Sequence, residues 1–162
     1  MNLPTFFKKI LPTEEVAGLE ITETAARLVL LSREDFRLLG AAQVDLGPNL
    51  VVSGEVKNIA GLTQALKTLK EKAGSNFSRH PMAILSLPSA LFYTHILEIP
   101  EVSEGNYEEA ARLNAIQLSP TRLDDAYFDW QNLGVNVKTF ERELLIAVAA
   151  KSKINPYLEA AR

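Results

Sequence analysis

The sequence predicts an α/β fold in two parts: a mixed sheet with a crossover helix, then a unit with the order strand–helix–strand–strand–helix. Segments in which apolar and polar residues alternate predict strands. The segment 59–73, where apolar residues recur every three or four positions, predicts a helix. A proline between two of the strand patterns, Pro88, predicts the boundary between the parts.

The strand patterns on either side of Pro88 differ in kind. Residues 82–87 form an apolar run that is typical of a strand buried on both faces. Residues 91–99 alternate instead, as expected for a strand with one wetter face. Because proline cannot donate a hydrogen bond to a sheet ladder, we expect one sheet to end before Pro88 and another to begin after it.

The part before Pro88 predicts a three-stranded antiparallel meander at residues 16–21, 26–31 and 36–46. Asn58 is a favourable helix N-cap, and Gly74 suits the left-handed position after a helix. The buried stripe of this helix contains Ile59, Leu62, Leu66 and Leu69. Since the helix connects the meander to the apolar run, we expect a mixed sheet.

The part after Pro88 predicts a helix from Ser103 to about Leu118 that carries apolar residues on two sides. Residues 126–133 and 143–150 predict a hairpin, in which the second, more apolar strand is the more central.

The last predicted helix begins near Ser152 or Asn155, with Pro156 in its first turn. It is cut about two turns in and has no C-cap signal. We therefore expect either a piece of a longer protein or a chain that completes its layers with a partner.

The composition excludes several classes of function. The net charge is −3 and no basic cluster offsets it, which gives no reason to expect a nucleic-acid partner. The sequence has no cysteine, so disulfides, thiolate chemistry and cysteine–zinc sites are excluded. No apolar run approaches the roughly 20 residues of a membrane span, and no signal peptide is recognisable, so we expect an intracellular protein.

An apolar stripe near the N-terminus lies beside Lys8 and Lys9. Its members are Leu3, Phe6, Phe7, Ile10 and Leu11. The spacing favours a small helix that docks on a membrane surface or a partner. The alternative is a frayed terminus, because about ten residues form a marginal helix alone.

Several stretches carry a resemblance to a known family: Gly-Leu-Glu-Ile-Thr-Glu-Thr at 18–24, Gly-Glu-Val at 54–56, Leu-Ser-Leu-Pro at 85–88, the strand from Phe92 to Pro100, Phe-Asp-Trp-Gln-Asn-Leu-Gly at 128–134 and Ile-Ala-Val-Ala-Ala-Lys at 146–151. In this order they resemble the type IV pilus assembly PilM family of actin-like proteins, which is related to the division protein FtsA. The resemblance covers nearly all of residues 15–162 and implies about half of the family's usual length.

The resemblance implies the N-terminal part of an actin-like, ribonuclease H-like fold. Residues 1–14 are then an N-terminal extension, residues 15–88 a part of subdomain 1A, and residues 89–162 an interaction subdomain of the 1C type. It also implies a partner, the cytoplasmic N-terminal peptide of a PilN-like inner-membrane protein, in a groove between the subdomains. We expect a non-catalytic cytoplasmic scaffold held at the inner membrane by that partner; a homo-oligomer is a further option.

The resemblance also implies a phosphate-binding turn after the first strand, with an acid that helps to hold magnesium. Glu20, Thr22 and Thr24 occupy these positions and are the candidate cofactor-binding residues. Glu23 places a negative charge beside the phosphate position, which is unfavourable. The alternative is an ordinary polar hairpin turn. We expect no cofactor in this chain, and ATP with magnesium only in a longer parent.

Four residues are predicted to bind the partner: Asn114, Tyr107, Trp130 and Phe92. Asn114 lies on an otherwise apolar helix face, where its amide needs a hydrogen-bond partner that a peptide backbone could supply. A structural hydrogen bond to the neighbouring loop is the alternative. The aromatic residues are of the type that anchors a peptide, or that simply fills a core.

No catalytic residue and no metal site is predicted. Asp124, Asp125 and Asp129 are more typical of a solvated face than of paired catalytic acids. His80 and His95 have no metal-ligand spacing around them. Two other functions stay open: a fragment of an actin-like ATPase or phosphotransferase, and the cytoplasmic part of a type II secretion platform protein.

Overall fold

The computed structural model describes residues 16–32, 35–74, 82–100 and 106–162. The predictions for the N-terminal stripe, for the Ser103 cap and for His80 lie outside these ranges. The chain divides into two compact units after Pro88: the first also takes in Ala160–Arg162, and the second is Ser89–Glu159. The strands of the two units belong to different sheets.

The first unit contains a short meander, a small hairpin, one helix and a returning strand. These elements are β1 (Val16–Ile21), β2 (Ala25–Leu31), β3 (Leu38–Asp45), β4 (Val51–Val52), β5 (Glu55–Val56), α1 (Ile59–Ala73) and β6 (Met82–Ser86). The larger sheet has the order β3-β2-β1-β6, in which β6 is parallel to β1 and the other pairs are antiparallel. The predicted meander, crossover helix and mixed sheet are confirmed.

The core of the first unit follows from the alternation in its strands. Leu19 and Leu28 are register partners on neighbouring strands, and both are buried. Helix α1 packs on β2 and β3 and buries Leu62 and Leu69. Each such leucine stabilises the unit by about 1.5–3 kcal/mol relative to an exposed position.

Strand β6 departs from the prediction that residues 82–87 are buried on both faces. Ile84 is 65% exposed, and Ala83 is also exposed. The reason is position: β6 is the last strand of the sheet as described and pairs with β1, whereas α1 packs on β2 and β3, towards the other end of the sheet order. An apolar run reports the composition of a strand but not its place in the sheet order.

The second unit contains a three-stranded sheet and two helices. Its elements are β7 (Phe92–Ile99), α2 (Tyr107–Leu118), β8 (Ala126–Val135), β9 (Arg142–Ala150) and α3 (Lys151–Ala160). The sheet order is β7-β9-β8, with both pairs antiparallel, so β9 is central as predicted.

One helix packs on one face of this sheet. Tyr107, Ala111 and Ala115 of α2 are buried with Leu144 and Ile146 of β9 in a single core cluster. The opposite face of β7 is wetter, as predicted, since Phe92 and Ile96 are exposed. Leu113 and Ile116, on the second apolar side of α2, are exposed as well.

Helix α3 begins at Lys151, directly after β9, which agrees with the predicted start near Ser152 and not with the alternative near Asn155. Pro156 therefore lies inside the helix instead of in its first turn. No helix in the described ranges is long and apolar enough to cross a membrane.

Candidate functional site

The turn between β1 and β2 is closed by its own hydrogen bonds. The Thr22 hydroxyl accepts the N–H of Ala25 at 3.1 Å and lies 3.0 Å from the Ala25 carbonyl, to which it donates. The backbone N–H of Thr22 donates to the same carbonyl at 2.9 Å. The backbone carbonyl of Thr24 accepts the N–H of Leu46 at 2.7 Å. These groups are therefore committed to the turn itself.

The neighbouring acid is also paired. A carboxylate oxygen of Glu20 lies 2.6 Å from the guanidinium of Arg27, its register partner on β2. Arg27 donates a second hydrogen bond to Gln43 on β3, at 2.9 Å. Both members of the ion pair are about half exposed, so the pair stabilises the unit by at most about 1 kcal/mol.

Glu23 occupies the centre of the same turn. Its carboxylate accepts the backbone N–H of Gly54 at 3.0 Å, which ties this turn to the turn between β4 and β5. The charge of Glu23 disfavours an anion at this turn, and the Thr22 hydroxyl is already bonded to Ala25. Glu20, which is paired with Arg27, and Thr22 are therefore poorly suited to hold a magnesium-bound phosphate.

A concave site lies in the second unit, where three connections meet. It has a volume of about 260 Å³ and is formed by the start of β7 with the turn before it, the connection from α2 to β8, and the junction of β9 with α3. Its lining residues are Ala90, Leu91, Phe92, Tyr93, Ser119, Pro120, Thr121, Val148, Ala150 and Lys153. We call this site the β7 pocket. Most of its lining residues are apolar, and Ser119, Thr121 and Lys153 are polar. The pocket therefore suits an apolar side chain that is flanked by polar groups.

Local hydrogen bonds shape the rim of the β7 pocket. The Ser119 hydroxyl donates to the carbonyl of Thr121 at 2.9 Å and accepts its N–H at 3.1 Å, which fixes the connection after α2. Lys151, which follows the lining residue Ala150 and does not itself line the pocket, donates from Nζ to the carbonyl of Asp124 at 2.8 Å.

The structure separates the four predicted partner-binding residues. Phe92 lines the β7 pocket and is 38% exposed. Tyr107 is 4% exposed and belongs to the core cluster, so its ring packs inside the protein. Trp130 is half-buried and packs against the same cluster. Asn114 donates its side-chain amide to the carbonyl of Ala110, one turn earlier in α2, at 2.9 Å. This bond is made to its own helix and not to the neighbouring loop.

Of the residues that line the β7 pocket, only Phe92 was predicted from the sequence as a binding residue. Leu91 and Tyr93 carry a signal, because they follow the break at Pro88 that places a short turn before β7. Pro120 and Lys153 carry no such signal in the sequence. Pro120 lies in a turn and Lys153 near the start of a helix, far apart in the chain, and the order of the strands in the sheet brings them together.

The acids and histidine considered for chemistry are not assembled into a site. Asp124 lies 3.6 Å from Arg122 in an exposed ion pair. The ring of His95 stacks on that of Tyr93, with the centroids 6.4 Å apart. Over the part of the chain that is described, no three side chains are grouped to hold a metal ion.

Comparison with known proteins gives a family and a fold. The family model described as type IV pilus assembly protein PilM matches residues 18–162. Among solved structures, a PilM–PilN type IV pilus biogenesis complex is similar, with 25% sequence identity and a TM-score of 0.79, over 93% of this chain and 45% of the other. The chain thus spans less than half the length of that relative.

A second solved structure shares the fold alone. It is the cytoplasmic domain of EpsL, an inner-membrane component of the type II secretion system of Vibrio cholerae. The identity is 10% and the TM-score 0.53, over 90% of this chain and 51% of the other. The predicted fold, the N-terminal part of an actin-like protein, is confirmed by the likeness to PilM. Since the family model covers the whole chain from residue 18 to residue 162, this protein belongs to the type IV pilus assembly protein PilM family.

Proposed function

We propose that the chain is a non-catalytic scaffold of type IV pilus assembly that binds the cytoplasmic N-terminal peptide of a PilN-like inner-membrane protein. The observation that carries the proposal is the likeness of 93% of the chain to a PilM–PilN complex. Through this peptide the scaffold is held at the cytoplasmic face of the inner membrane.

The β7 pocket is the proposed receptor for one apolar side chain of the peptide. It is lined by Leu91, Phe92 and Tyr93 at the start of a strand that, among the described strands, pairs only with β9. An extended peptide can pair its backbone with an unpaired strand edge and place alternate side chains in a pocket beside it. The pocket then supplies affinity, and the paired backbone groups fix the direction of the peptide.

The scaffold role is proposed to be independent of ATP turnover in this chain. Two features of the β1–β2 turn support this: the Thr22 hydroxyl is already bonded to Ala25, and Glu23 adds a negative charge to the turn. Phosphate release by the chain with ATP and magnesium is expected to equal that of buffer.

The experiment is a calorimetric titration of the chain with synthetic peptides from the cytoplasmic tails of PilN-like proteins. Replacing Phe92→Ala is expected to weaken binding about tenfold, because it removes a large aromatic side chain from the pocket. The matched control is Ile96→Ala, four residues along the same strand face, exposed and outside the pocket lining.

Two outcomes contradict the proposal in different ways. If no tail binds the wild-type chain, the scaffold function is wrong. If a tail binds but Phe92→Ala and Ile96→Ala weaken it equally, the function stands and the β7 pocket is not the receptor.

A further inference from the structure

The tip of the β8–β9 hairpin carries the two most exposed large hydrophobic residues of the described chain. Val137 is 83% exposed and Phe140 is 80% exposed. We call residues 136–141 the hairpin tip. The two side chains belong to one short turn between neighbouring strands. Apolar side chains that are exposed close together mark a contact surface more often than scattered ones do.

The hairpin tip is held in one conformation by Asn136. The side-chain carbonyl of Asn136 accepts the N–H of Lys138 at 2.9 Å. Its side-chain amide donates to Glu143 at 2.8 Å and to Glu98 on β7 at 3.2 Å. The backbone carbonyl of Asn136 accepts the N–H of Phe140, also at 2.8 Å. The exposed side chains are therefore presented from an ordered turn.

Phe140 has a backbone conformation that costs energy. Its φ is +60°, in the left-handed region that a bulky residue adopts rarely. Glycine would adopt this conformation without that cost and would leave no apolar side chain in water. Because the ring is exposed, packing inside the described chain does not account for a phenylalanine at this place. Strain of this kind occurs often at binding sites.

The charges of the hairpin tip offset each other. Lys138 and Glu141 are its only charged residues, one of each sign. Two further acids, Glu98 and Glu143, lie at the base of the tip, where they accept the Asn136 amide. The tip therefore gains nothing from an anionic surface, and any contact it makes is mainly apolar.

The small size of the hairpin tip favours a lipid surface over a protein. A stable protein contact buries about 800 Å² per partner and takes roughly 20–30 residues a side, whereas the tip has six residues. A bilayer needs no complementary pocket to accept two apolar side chains at the end of a hairpin. Lys138 follows Val137 directly, and a lysine beside inserted apolar groups can extend its ammonium back to the lipid phosphates.

The hairpin tip alone is too small to hold the chain on a membrane. Even a single myristoyl chain gives only marginal membrane binding, and two side chains bury less apolar surface than that. A second attachment makes the insertion effective, because it raises the local concentration of the tip at the bilayer. The tail peptide of the proposed function is such an attachment.

The two attachments use separate surfaces. Arg142 begins β9 beside the tip, whereas Val148 and Ala150 near the end of β9 line the β7 pocket. Eight residue steps along a strand separate these ends by roughly 27 Å. A peptide in the pocket therefore leaves the tip free, and about eight extended residues between its bound segment and the bilayer span the distance.

We propose that Val137 and Phe140 insert into the interface of a lipid bilayer, as a second attachment that acts together with the tail peptide of the membrane partner. The joint action rests on the proposed function; the insertion of the tip does not.

The first test measures insertion without any peptide. The chain is bound by an N-terminal hexahistidine tag to phosphatidylcholine vesicles that contain a nickel-chelating lipid and acyl chains brominated to quench tryptophan. Phe140→Trp is expected to lose about half of the emission that the substitution adds, because tryptophan settles at the membrane interface. The control is Leu113→Trp, at an exposed position of α2, and its added emission is expected to be unquenched. Wild type corrects for Trp130, the one tryptophan of the chain.

Two results of the quenching experiment overturn the proposal. One is that the emission added by Phe140→Trp is not quenched. The other is that the emission added by Leu113→Trp is quenched to the same extent, which would show a non-specific approach of the chain to the vesicle.

The second test is flotation of the chain with phosphatidylcholine vesicles that carry a lipid-anchored tail peptide with a spacer of about eight residues. Phe140→Ser is expected to weaken vesicle binding about tenfold and to leave the affinity for the same peptide in solution unchanged. Leu113→Ser is expected to stay within about twofold of wild type in both assays. Equal losses for the two variants, or a loss for Phe140→Ser that appears also in solution, overturn the proposal.

The composition of the vesicles tests the nature of the contact. Because the charges of the tip offset each other, replacing part of the phosphatidylcholine by phosphatidylglycerol is expected to change the contribution of Phe140 by less than about twofold. A contribution of Phe140 that appears only with phosphatidylglycerol would overturn apolar insertion.

A third variant separates membrane contact from a structural role. Phe140→Gly removes the ring and suits the positive φ, so its melting temperature is expected to equal or exceed that of wild type. Its binding to the peptide-bearing vesicles is expected to fall as far as that of Phe140→Ser. A clearly lower melting temperature would assign the ring to the fold and overturn the proposal.

The assays distinguish failure of this inference from failure of the proposed function. If no tail peptide binds in solution, the proposed function is wrong, and the quenching of Phe140→Trp still decides whether the tip inserts. If a tail peptide binds and vesicle binding does not depend on Phe140, the inference is wrong and the proposed function stands.

Discussion

The guanidinium of Arg142 lies over the ring of Tyr107, with 5.3 Å between its central carbon and the ring centroid. Tyr107 begins α2 and Arg142 begins β9, so the contact fixes the first turn of the helix against the sheet. The Nε of Arg142 is buried, with no hydrogen-bond partner among the described residues. The contact with the face of the Tyr107 ring is therefore the favourable interaction that the described residues show for the Arg142 guanidinium.

We predict a coupling free energy of about 0.5–1 kcal/mol between Arg142 and Tyr107. A double-mutant cycle with Arg142→Met and Tyr107→Leu isolates this energy. The cost of desolvating Nε is removed both when Arg142→Met is made in the wild type and when it is made in Tyr107→Leu, so it cancels in the difference. The measurement is urea unfolding of the four proteins. As a control, Arg142→Met combined with Tyr127→Leu is expected to be additive, since Tyr127 lies at the far end of β8 under Lys151. A coupling no larger than that control would contradict the prediction.

The cap of α1 gives a second prediction. Asn58 accepts the N–H of Gly61 at 2.8 Å from an extended backbone conformation, as expected of an N-cap. Asn58→Ala is expected to lower the free energy of unfolding by about 1 kcal/mol, because that N–H loses its acceptor. Asn58→Asp keeps the acceptor and adds a charge that favours the helix N-terminus, so it is expected to be at least as stable as wild type. Equal losses for the two variants in chemical denaturation would argue against the cap.

The bond between Glu23 and Gly54 gives a third prediction. Glu23→Ala is expected to lower the free energy of unfolding by about 1 kcal/mol, since the Gly54 N–H loses a charged acceptor. Glu23→Gln keeps a carbonyl oxygen at the same place, so its loss is expected to be smaller. Glu71→Ala, at an exposed position on α1, is the control for removing a negative charge and is expected to change stability by less than about 0.5 kcal/mol. A thermal melt of the four proteins ranks them.

The sequence predicts those parts of the fold that depend on local patterns. The alternation in residues 91–99 and the Asn58 cap lie within short windows, and the structure confirms both. Ile84 was wrongly predicted to be buried, because its burial depends on the order of the strands and on which strands α1 covers.

The surroundings of the predicted site residues also depend on the three-dimensional arrangement. Asn114 and Tyr107 carry residue types that suit a binding surface, yet Asn114 bonds to its own helix and Tyr107 is buried beneath Arg142. Their environments depend on contacts that residue type does not specify. The β7 pocket likewise joins segments from β7, the connection after α2, and α3, which only the three-dimensional arrangement brings together.

The last prediction concerns pH. A hydrogen bond from the Ser32 side chain, and then one from the backbone N–H of Arg37 at 3.2 Å, hold the pKa of Asp35 below its ordinary value. Because the folded pKa is lowered, the ionised form stabilises the fold at pH values above the ordinary pKa of about 4, and this contribution is lost as the pH falls through the folded pKa. Ser32→Ala is expected to raise the pKa of Asp35 towards its ordinary value in an NMR titration of the carboxyl carbon. Arg37→Met leaves the backbone N–H in place and is expected to keep the pKa low. A rise of the pKa in Arg37→Met, with no rise in Ser32→Ala, would assign the shift to the Arg37 charge, which lies 3.7 Å from the carboxylate, instead of to the two hydrogen bonds.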